Sequence, residues 1–502
     1  MRSPSIPVTG QDELFDYVSR LRTDPQSANP ADWQVDWADG PWPVKVYSGA
    51  RRIRLDPASG LARVLAGSLA VNRIRVDATG GLPSAPGRAA LEYHGSRYLM
   101  RRSIPSGGAM YPTELYVLWP GASQVSHYDA YRNELVHLGR ADGIRKAIGE
   151  PTDLPPLMLL LCNRFWKNFY KYGNFAARLG SVDTGIVLGR LVRSASAVFG
   201  RVEVRADFSA DLVGAMLGLD PAEELCVAVL GLGRPGSVGD SHAPSESACV
   251  PTVIERSRVM KRSALFDAWN AAAKPTVSGG RYIPGPMMSA ISGREIALPE
   301  PMPVDLLDPD VLRHRRSNGR LFTGATVTAV DLATVLASAA GAVGQLRACA
   351  DGVLGTDIHL FCAVHRVAEV PAGWYRYEDG RLVAVGDGGA TAADLQRALF
   401  ADTVNIELAA FTVHPVAPTD FRAAGRGMCG YREQQFGIGA AVEALTVAAA
   451  AVGNGSHPVL GFDADLVDRT YGLSGTAFGT HAQVSVGAVG VDPNWEIAVM
   501  LE

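Results

Sequence analysis

Six cysteines (Cys162, Cys226, Cys249, Cys349, Cys362 and Cys429) are scattered over 502 residues. There is no Cys-x-x-Cys pair and no Cys/His spacing of a zinc site. That pattern excludes a disulfide framework and a zinc ribbon, and reduced thiols in a cytoplasmic protein are expected. No apolar run reaches the roughly 18 residues of a spanning helix, and the most apolar helix-like stretch, 439–453, is interrupted by Glu443. Blocks of one charge are missing too. With 47 Lys and Arg against 51 Asp and Glu, the net charge is −4, which gives nucleic acid or an anionic membrane little to attract. The first forty residues are polar and carry neither the basic nor the apolar region of a secretory signal. A cytoplasmic location is therefore the expectation.

What is present is ordinary globular material: 47% hydrophobic and 20% charged residues, enough for a large core. At roughly 150 residues per domain the length suggests two to four domains. An internal repeat organises the chain. Ala210-Asp-Leu-Val213 followed by Gly218-Leu219 recurs as Ala464-Asp-Leu-Val467 followed by Gly472-Leu473. Leu61-Ala62 with Val64-Leu65-Ala66 recurs as Leu332-Ala333 with Val335-Leu336-Ala337. Tyr128 with Leu135-Val136 matches Tyr375 with Leu382-Val383, and Val229-Leu-Gly231 resembles Ser485-Val-Gly487. The order of these pairs is kept, so a tandem duplication is expected.

Each half reads as mixed α and β. The first offers helices over 61–69 and 175–199 and strands over 114–118, 157–162 and 225–230. The second offers helices over 332–340 and 436–452 and strands over 358–364, 406–413 and 483–486. The two long helices are low in charge and rich in Ala and Gly, which suits close packing at the interface between halves. The expected division is an N-terminal extension (1–47), a first domain (48–233), a linker or lid (234–303) rich in Pro, Gly and Ser, and a second domain (304–502). Trp33, Trp37 and Trp42 are expected to pack the extension down.

Three short segments carry chemistry. Arg315, Arg316, Ser317 and Arg320 offer guanidinium forks and a hydroxyl, a cradle for a phosphate monoester, although a solvated basic loop has the same composition. Pro105, Ser106, Gly107 and Gly108 form a run in which backbone can approach a flat ligand; a plain tight turn reads identically. Lys171 and Tyr172 follow the aromatic-basic stretch 164–170 and precede Arg178 and Asp183-Thr-Gly185. An ammonium beside a phenol in a desolvated cleft would favour the phenolate, making Tyr172 a base; two amphipathic side chains on a loop read identically.

Together these segments, with Arg101-Arg-Ser103 ahead of the glycine run, resemble the nitroreductase-fold flavoproteins. Among those, the chain is similar to the SagB/McbC-type azoline dehydrogenases in their two-domain form. The resemblance covers roughly 50–233 and 310–490 and implies an α+β fold in which two nitroreductase-like units form an intrachain pseudo-dimer that binds FMN. It implies that the second unit supplies Arg315, Arg316, Ser317 and Arg320 with Pro458, Gly461 and Phe462. The first unit would supply Pro105–Gly108, with Lys171 and Tyr172 as catalytic residues. The reciprocal set is eroded: Arg51-Arg-Ile-Arg54 has Ile53 where serine belongs, 201–205 lacks the Pro and Gly, 350–355 replaces the glycine run, and no Lys-Tyr stands near Cys429-Gly-Tyr431. One FMN per chain is expected.

The implied reaction is oxidation of a peptide thiazoline or oxazoline to the aromatic azole. Tyr172 would be the base and Lys171 the charge that lowers its pKa. A cyclodehydratase partner is expected, because ring formation comes first. Two alternatives stay open: an NAD(P)H-dependent nitro or quinone reductase, and a non-catalytic scaffold of a modification complex.

Overall fold

The computed structural model describes residues 10–29, 33–36, 40–76, 98–119, 124–149, 155–233, 253–254, 263–277, 288–289, 293–350, 357–386, 391–420, 427–492 and 495–499. Among them, two antiparallel sheets share one strand order. The first runs Arg52–Arg54, Glu134–Arg140, Gln124–Asp129, Thr113–Leu118, Leu157–Asn163, Leu225–Leu232, Val202–Arg205. The second runs Glu295–Ala297, Arg381–Ala384, Gly373–Glu378, His359–Val364, Phe411–Pro418, Gln483–Gly487, Gly455–Val459, with Phe478–Thr480 beside Phe411–Pro418. Strands occupy corresponding places in both space and chain order. With helices packed on them, the architecture is α+β.

The recurring sequence patterns mark recurring structural needs. Ala210–Met216 and Ala464–Thr470 are short helices capped by Ser209 and Asp463, whose side chains accept from the backbone N–H of Leu212 and Leu466. Each repeat buries its Ala and Val and passes through a left-handed glycine, Gly218 at φ +67° and Gly472 at φ +71°. Leu61, Ala62, Val64 and Leu65 are the buried face of the helix Gly60–Leu69, and Leu332, Ala333, Val335 and Leu336 that of Ala329–Cys349. The Tyr375 match is out of register. Tyr128 pairs with Leu135 across its hairpin, whereas Leu382 pairs with Tyr377. The second hairpin is tighter, closing through Asp379 and Gly380, both at positive φ.

Two long helices, Ala176–Phe199 and Gly427–Ala451, cross at the middle of the molecule. Gly185 and Gly439 let them touch backbone to backbone: a Cβ on Gly185 would overlap the Phe436 carbonyl, and one on Gly439 the Val182 carbonyl. Glu443 sits in this apolar contact because Arg190 Nε meets it at 2.6 Å and Arg193 Nη2 at 2.8 Å. The second helix begins at Gly427, well before the 436 expected, since buried polar residues Arg432 to Gln435 hide its start. Ala329–Cys349, with mean hydropathy 1.4, is long and apolar enough to cross a membrane by length and composition. Half of that stretch is buried, against both central helices.

Other boundaries differ from expectation. Strand Glu295–Ala297 pairs with Arg381–Ala384, so the second unit begins by residue 295, not 304. The strand expected over 406–413 is a 3-10 turn, Ile406–Leu408, followed by Phe411–Pro418. A third sheet ties the units together: the C-terminal strand Trp495–Ala498 pairs with Val71–Val76, which pairs with Tyr98–Arg102.

Outside both units, the amphipathic helix Gln11–Thr23 buries Leu14, Phe15, Tyr17, Val18 and Leu21. It shares a second core with Phe165, Trp166 and Phe169 and with Phe266 and Trp269 of the linker helix Ala264–Ala272. Trp33 packs edge-on against Phe169, ring centroids 5.1 Å apart. Trp37, and the 350–355 counterpart of the glycine run beyond Ala350, lie outside the described residues.

Candidate functional site

The glycine run and the Lys-Tyr pair meet. Residues Gly107–Ala109 form a 3-10 turn leading into strand Thr113–Leu118. Gly108 is left-handed at φ +58°; a Cβ there would overlap the Tyr172 hydroxyl and stand 2.7 Å from Lys171 Nζ. A Cβ on Gly107 would overlap Leu179. Ala109 (φ +57°) and Tyr111 (φ +47°) also take the left-handed conformation without being glycine, an arrangement that costs energy and must be held from outside. Lys171 and Tyr172 close the helix Trp166–Tyr172, with Nζ 5.2 Å from the Tyr172 ring centroid.

Asp183, about two turns into the helix Ala176–Phe199, does much of that holding. Its carboxylate accepts from Ser106 Oγ at 2.8 Å, from the Gly107 N–H at 3.1 Å and from Asn168 Nδ2 at 3.4 Å. Burial pushes its pKa up to about 6, although the Ser106 and Gly107 donors oppose the shift. Ser106 Oγ in turn accepts from the Tyr111 N–H at 2.9 Å. Lys167 Nζ donates to the Tyr111 carbonyl at 2.8 Å. Both ends of the strained turn are thereby fixed.

The proton chemistry expected of the pair is reversed by its surroundings. Burial, then the Asp183 and Tyr170 charges, push the Tyr172 phenol well up. Burial and the nearby Arg101 push the Lys171 ammonium down. Lys171 is not among the groups that shift the Tyr172 phenol, whose displacement is set by burial. The resting arrangement favours a neutral phenol beside an amine that loses its proton more readily than usual.

The arginine run reaches the same loop from the other unit. Arg315 is buried and donates from Nε to the Ser103 carbonyl at 2.6 Å. Arg73 donates to the Arg315 carbonyl at 3.0 Å. Burial and the crowd of like charges, Arg73 first, push Arg315 down to about 9 and Arg316 down to about 10. Glu496 of the C-terminal strand bridges Arg73 at 3.0 Å and Arg316 at 2.5 Å. Among the described residues, Arg315 Nη1 is buried without a hydrogen-bond partner. An uncompensated buried cation is costly, so this donor set fits an anion such as a phosphate monoester.

The remaining residues fall into place less uniformly. Ser317 bridges Ser456, the Asn318 N–H donates to the Ser456 carbonyl, and the Gly319 N–H donates to His457 Nδ1 at 2.9 Å. Burial pushes His457 down to about 4, keeping that ring a neutral acceptor. Pro458 lies beside it in the edge strand, opposite Val484. Gly461 accepts from the Phe400 N–H. Arg320 is exposed and paired with Asp402 at 2.8 Å. The crevice lined by Leu69, Arg102, Ile104, Pro105, Ser106, Tyr111, Pro112, Thr113, Asp183 and Val187 encloses essentially no space open to a water-sized molecule, far below the roughly 300–1,000 Å³ of small-molecule sites. Alone it does not house a tricyclic ligand.

Arg51–Arg54 does not correspond to the arginine run. Strand Arg52–Arg54 is an edge strand like Glu295–Ala297, and Arg52 is neutralised by Asp129 at 2.8 Å and Glu134 at 3.4 Å. Only 55–59 separates that strand from its helix, against 298–328 in the second unit. The first unit thus lacks the whole segment, not one serine. Asp183 stands out in the sequence with the Lys-Tyr pair but without a role; Arg73 and Glu496 are the contributors that motif reading passes over, and nothing local marks them.

No family model matches the chain, and no curated protein matches it. Solved structures do. A protein from Anabaena variabilis assigned as a nitroreductase superposes with TM-score 0.71 at 21% identity, over 95% of this chain and 99% of that one. The E. coli microcin synthetase McbBCD complex with truncated pro-MccB17 bound matches 46% of this chain and 97% of that one at 17% identity, TM-score 0.27. A Ralstonia eutropha protein assigned as a nitroreductase matches 42% and 88% at 16% identity, TM-score 0.27. The first match, which runs across both units, defines the class: the chain has a nitroreductase-like fold.

Proposed function

We propose that this chain is an FMN-dependent dehydrogenase that oxidises peptide thiazolines or oxazolines to azoles, built from two units descended from a duplication. The observation that carries the reading is the convergence of an anion-seeking cluster from one unit with a strained glycine turn and a Lys-Tyr pair from the other. Bound FMN would supply a two-electron acceptor that oxygen can restore. Arg315, Arg316 and Ser317 would hold its phosphate, and Ser106–Gly108 would lie against its ring system, with Pro458 and Gly461 at the border of the cradle.

In the reaction the azoline ring loses one hydride and one proton, and aromaticity drives the step. The chain's share is alignment and the proton. The electrostatics favour Lys171, as its free amine, for taking the proton, with Tyr172 as a phenol that orients substrate by hydrogen bonding. A cyclodehydratase partner would supply the substrate, because the heterocycle must already be closed. The reductase and scaffold readings draw no support from a base-bearing loop of this kind.

The test is conversion of an azoline-bearing peptide, followed by mass spectrometry for loss of two hydrogens. The rate should rise with pH through a pKa below the roughly 10.4 of free lysine. Lys171→Ala and Tyr172→Ala should abolish turnover while flavin stays bound. Full activity in both variants, or NAD(P)H oxidation with a quinone in place of azoline turnover, would overturn the proposal.

A further inference from the structure

Tyr172 is followed by a break between two helices, Trp166–Tyr172 and Ala176–Phe199. Gly173 turns left-handed there, at φ +55°. A helix interruption leaves backbone groups without intrahelical partners, so a fixed break needs partners from elsewhere. Here they come from outside both sheet units. The Asn174 N–H donates to Asn29 Oδ1 at 2.7 Å, and Asn174 Nδ2 donates to the Ala28 carbonyl at 2.6 Å. The Asn174 carbonyl accepts from Tyr17 Oη at 2.6 Å, and its Oδ1 accepts from Ser263 Oγ, the cap of the linker helix. A Cβ on Gly173 would overlap Asn29 Oδ1 and lie 3.1 Å from Trp33. On the helix before the break, Lys167 Nζ donates to the Pro43 carbonyl at 2.8 Å, and Gly40 packs against Tyr170.

We infer that residues 10–29, 33–36 and 40–43, with the linker helix Ala264–Ala272, form a positioning element for Lys171 and Tyr172, and that Asn174 is its central positioning residue. The inference rests on the proposed role of the Lys-Tyr pair. It gives the N-terminal segment a part in catalysis without contact to the reacting atoms. By locking the Tyr172–Asn174 break, the segment aims both side chains at Gly108.

Asn29→Ala removes the acceptor for the Asn174 N–H, whereas Asn29→Asp keeps one. Amide hydrogen exchange on the full chain should show local opening around 173–175, about tenfold or more, in Asn29→Ala, with strands Thr113–Leu118 and Leu157–Asn163 unchanged. On an azoline peptide, kcat should fall roughly tenfold or more while KM stays within about twofold, and Asn29→Asp should recover most of the loss. Tyr17→Phe, which removes one donor and keeps the ring, gives the same contrast if Asn29→Ala does not fold. Unchanged exchange at 173–175, or faster exchange with full kcat, would overturn the inference. A wild-type chain without azoline turnover would refute the oxidase reading instead, and the exchange contrast would then decide by itself whether the segment holds the break.

Discussion

Asp183 is the residue at which stability and function oppose each other. A carboxylic acid held near 6 when folded and near 3.8 when unfolded favours the protonated folded state. Stability is therefore lost as pH rises from about 4 to about 6, by about 3 kcal/mol for a shift of that size, and is level above it. Yet only the carboxylate can accept from Ser106, Gly107 and Asn168 together. Asp183→Asn should flatten the pH dependence of the melting temperature between 4 and 6 and reduce azoline turnover at pH 8. A melting curve that keeps its wild-type slope across that range would show that another group titrates there. The same conflict explains why Ala109 and Tyr111 tolerate positive φ: the strain is local, and Asp183, Ser106 and Lys167 hold it from three sides.

At the scale of elements, the central helix pair joins the units. Its glycines bring backbones into contact, and its fully buried acid, Glu443, pairs with both Arg190 and Arg193. Removing the acid leaves two guanidinium groups, Arg190 and Arg193, facing an apolar contact. Glu443→Ala should destabilise the chain by roughly 3–5 kcal/mol in denaturant unfolding, the usual size for a broken buried pair; a loss under about 1 kcal/mol would mean the helices are held by packing alone. Much of this level was legible in the sequence. Leu61, Val64 and Leu65 announce a helix because their spacing is the spacing of a buried face, and the Ala-Asp-Leu-Val repeat reports a capped turn that both units need. The start of Gly427–Ala451 was hidden because Arg432, Glu433, Gln434 and Gln435 read as surface, whereas tertiary partners such as Asn270, Pro418 and His481 receive three of them. Periodicity sees which residues dislike water. It does not see which polar residues will find a partner far along the chain.

At the scale of the whole molecule, each unit lacks what the other provides. The first has the antiparallel strands Val71–Val76 and Tyr98–Arg102 with the glycine turn, and no segment for arginines ahead of its helix. The second has the arginine segment in 298–328 and sends Glu496 across to Arg73 of the first. The site's motifs were readable one by one, but their meeting was not, since Arg315 and Ser103 are 212 residues apart and no local pattern encodes that contact. The composite site is the central claim, and the flavin content of the purified chain tests it most directly. The expected content is one FMN per chain, lost when Arg315→Ala removes the buried cation. Two FMN per chain, or one FMN retained undiminished in Arg315→Ala, would contradict it.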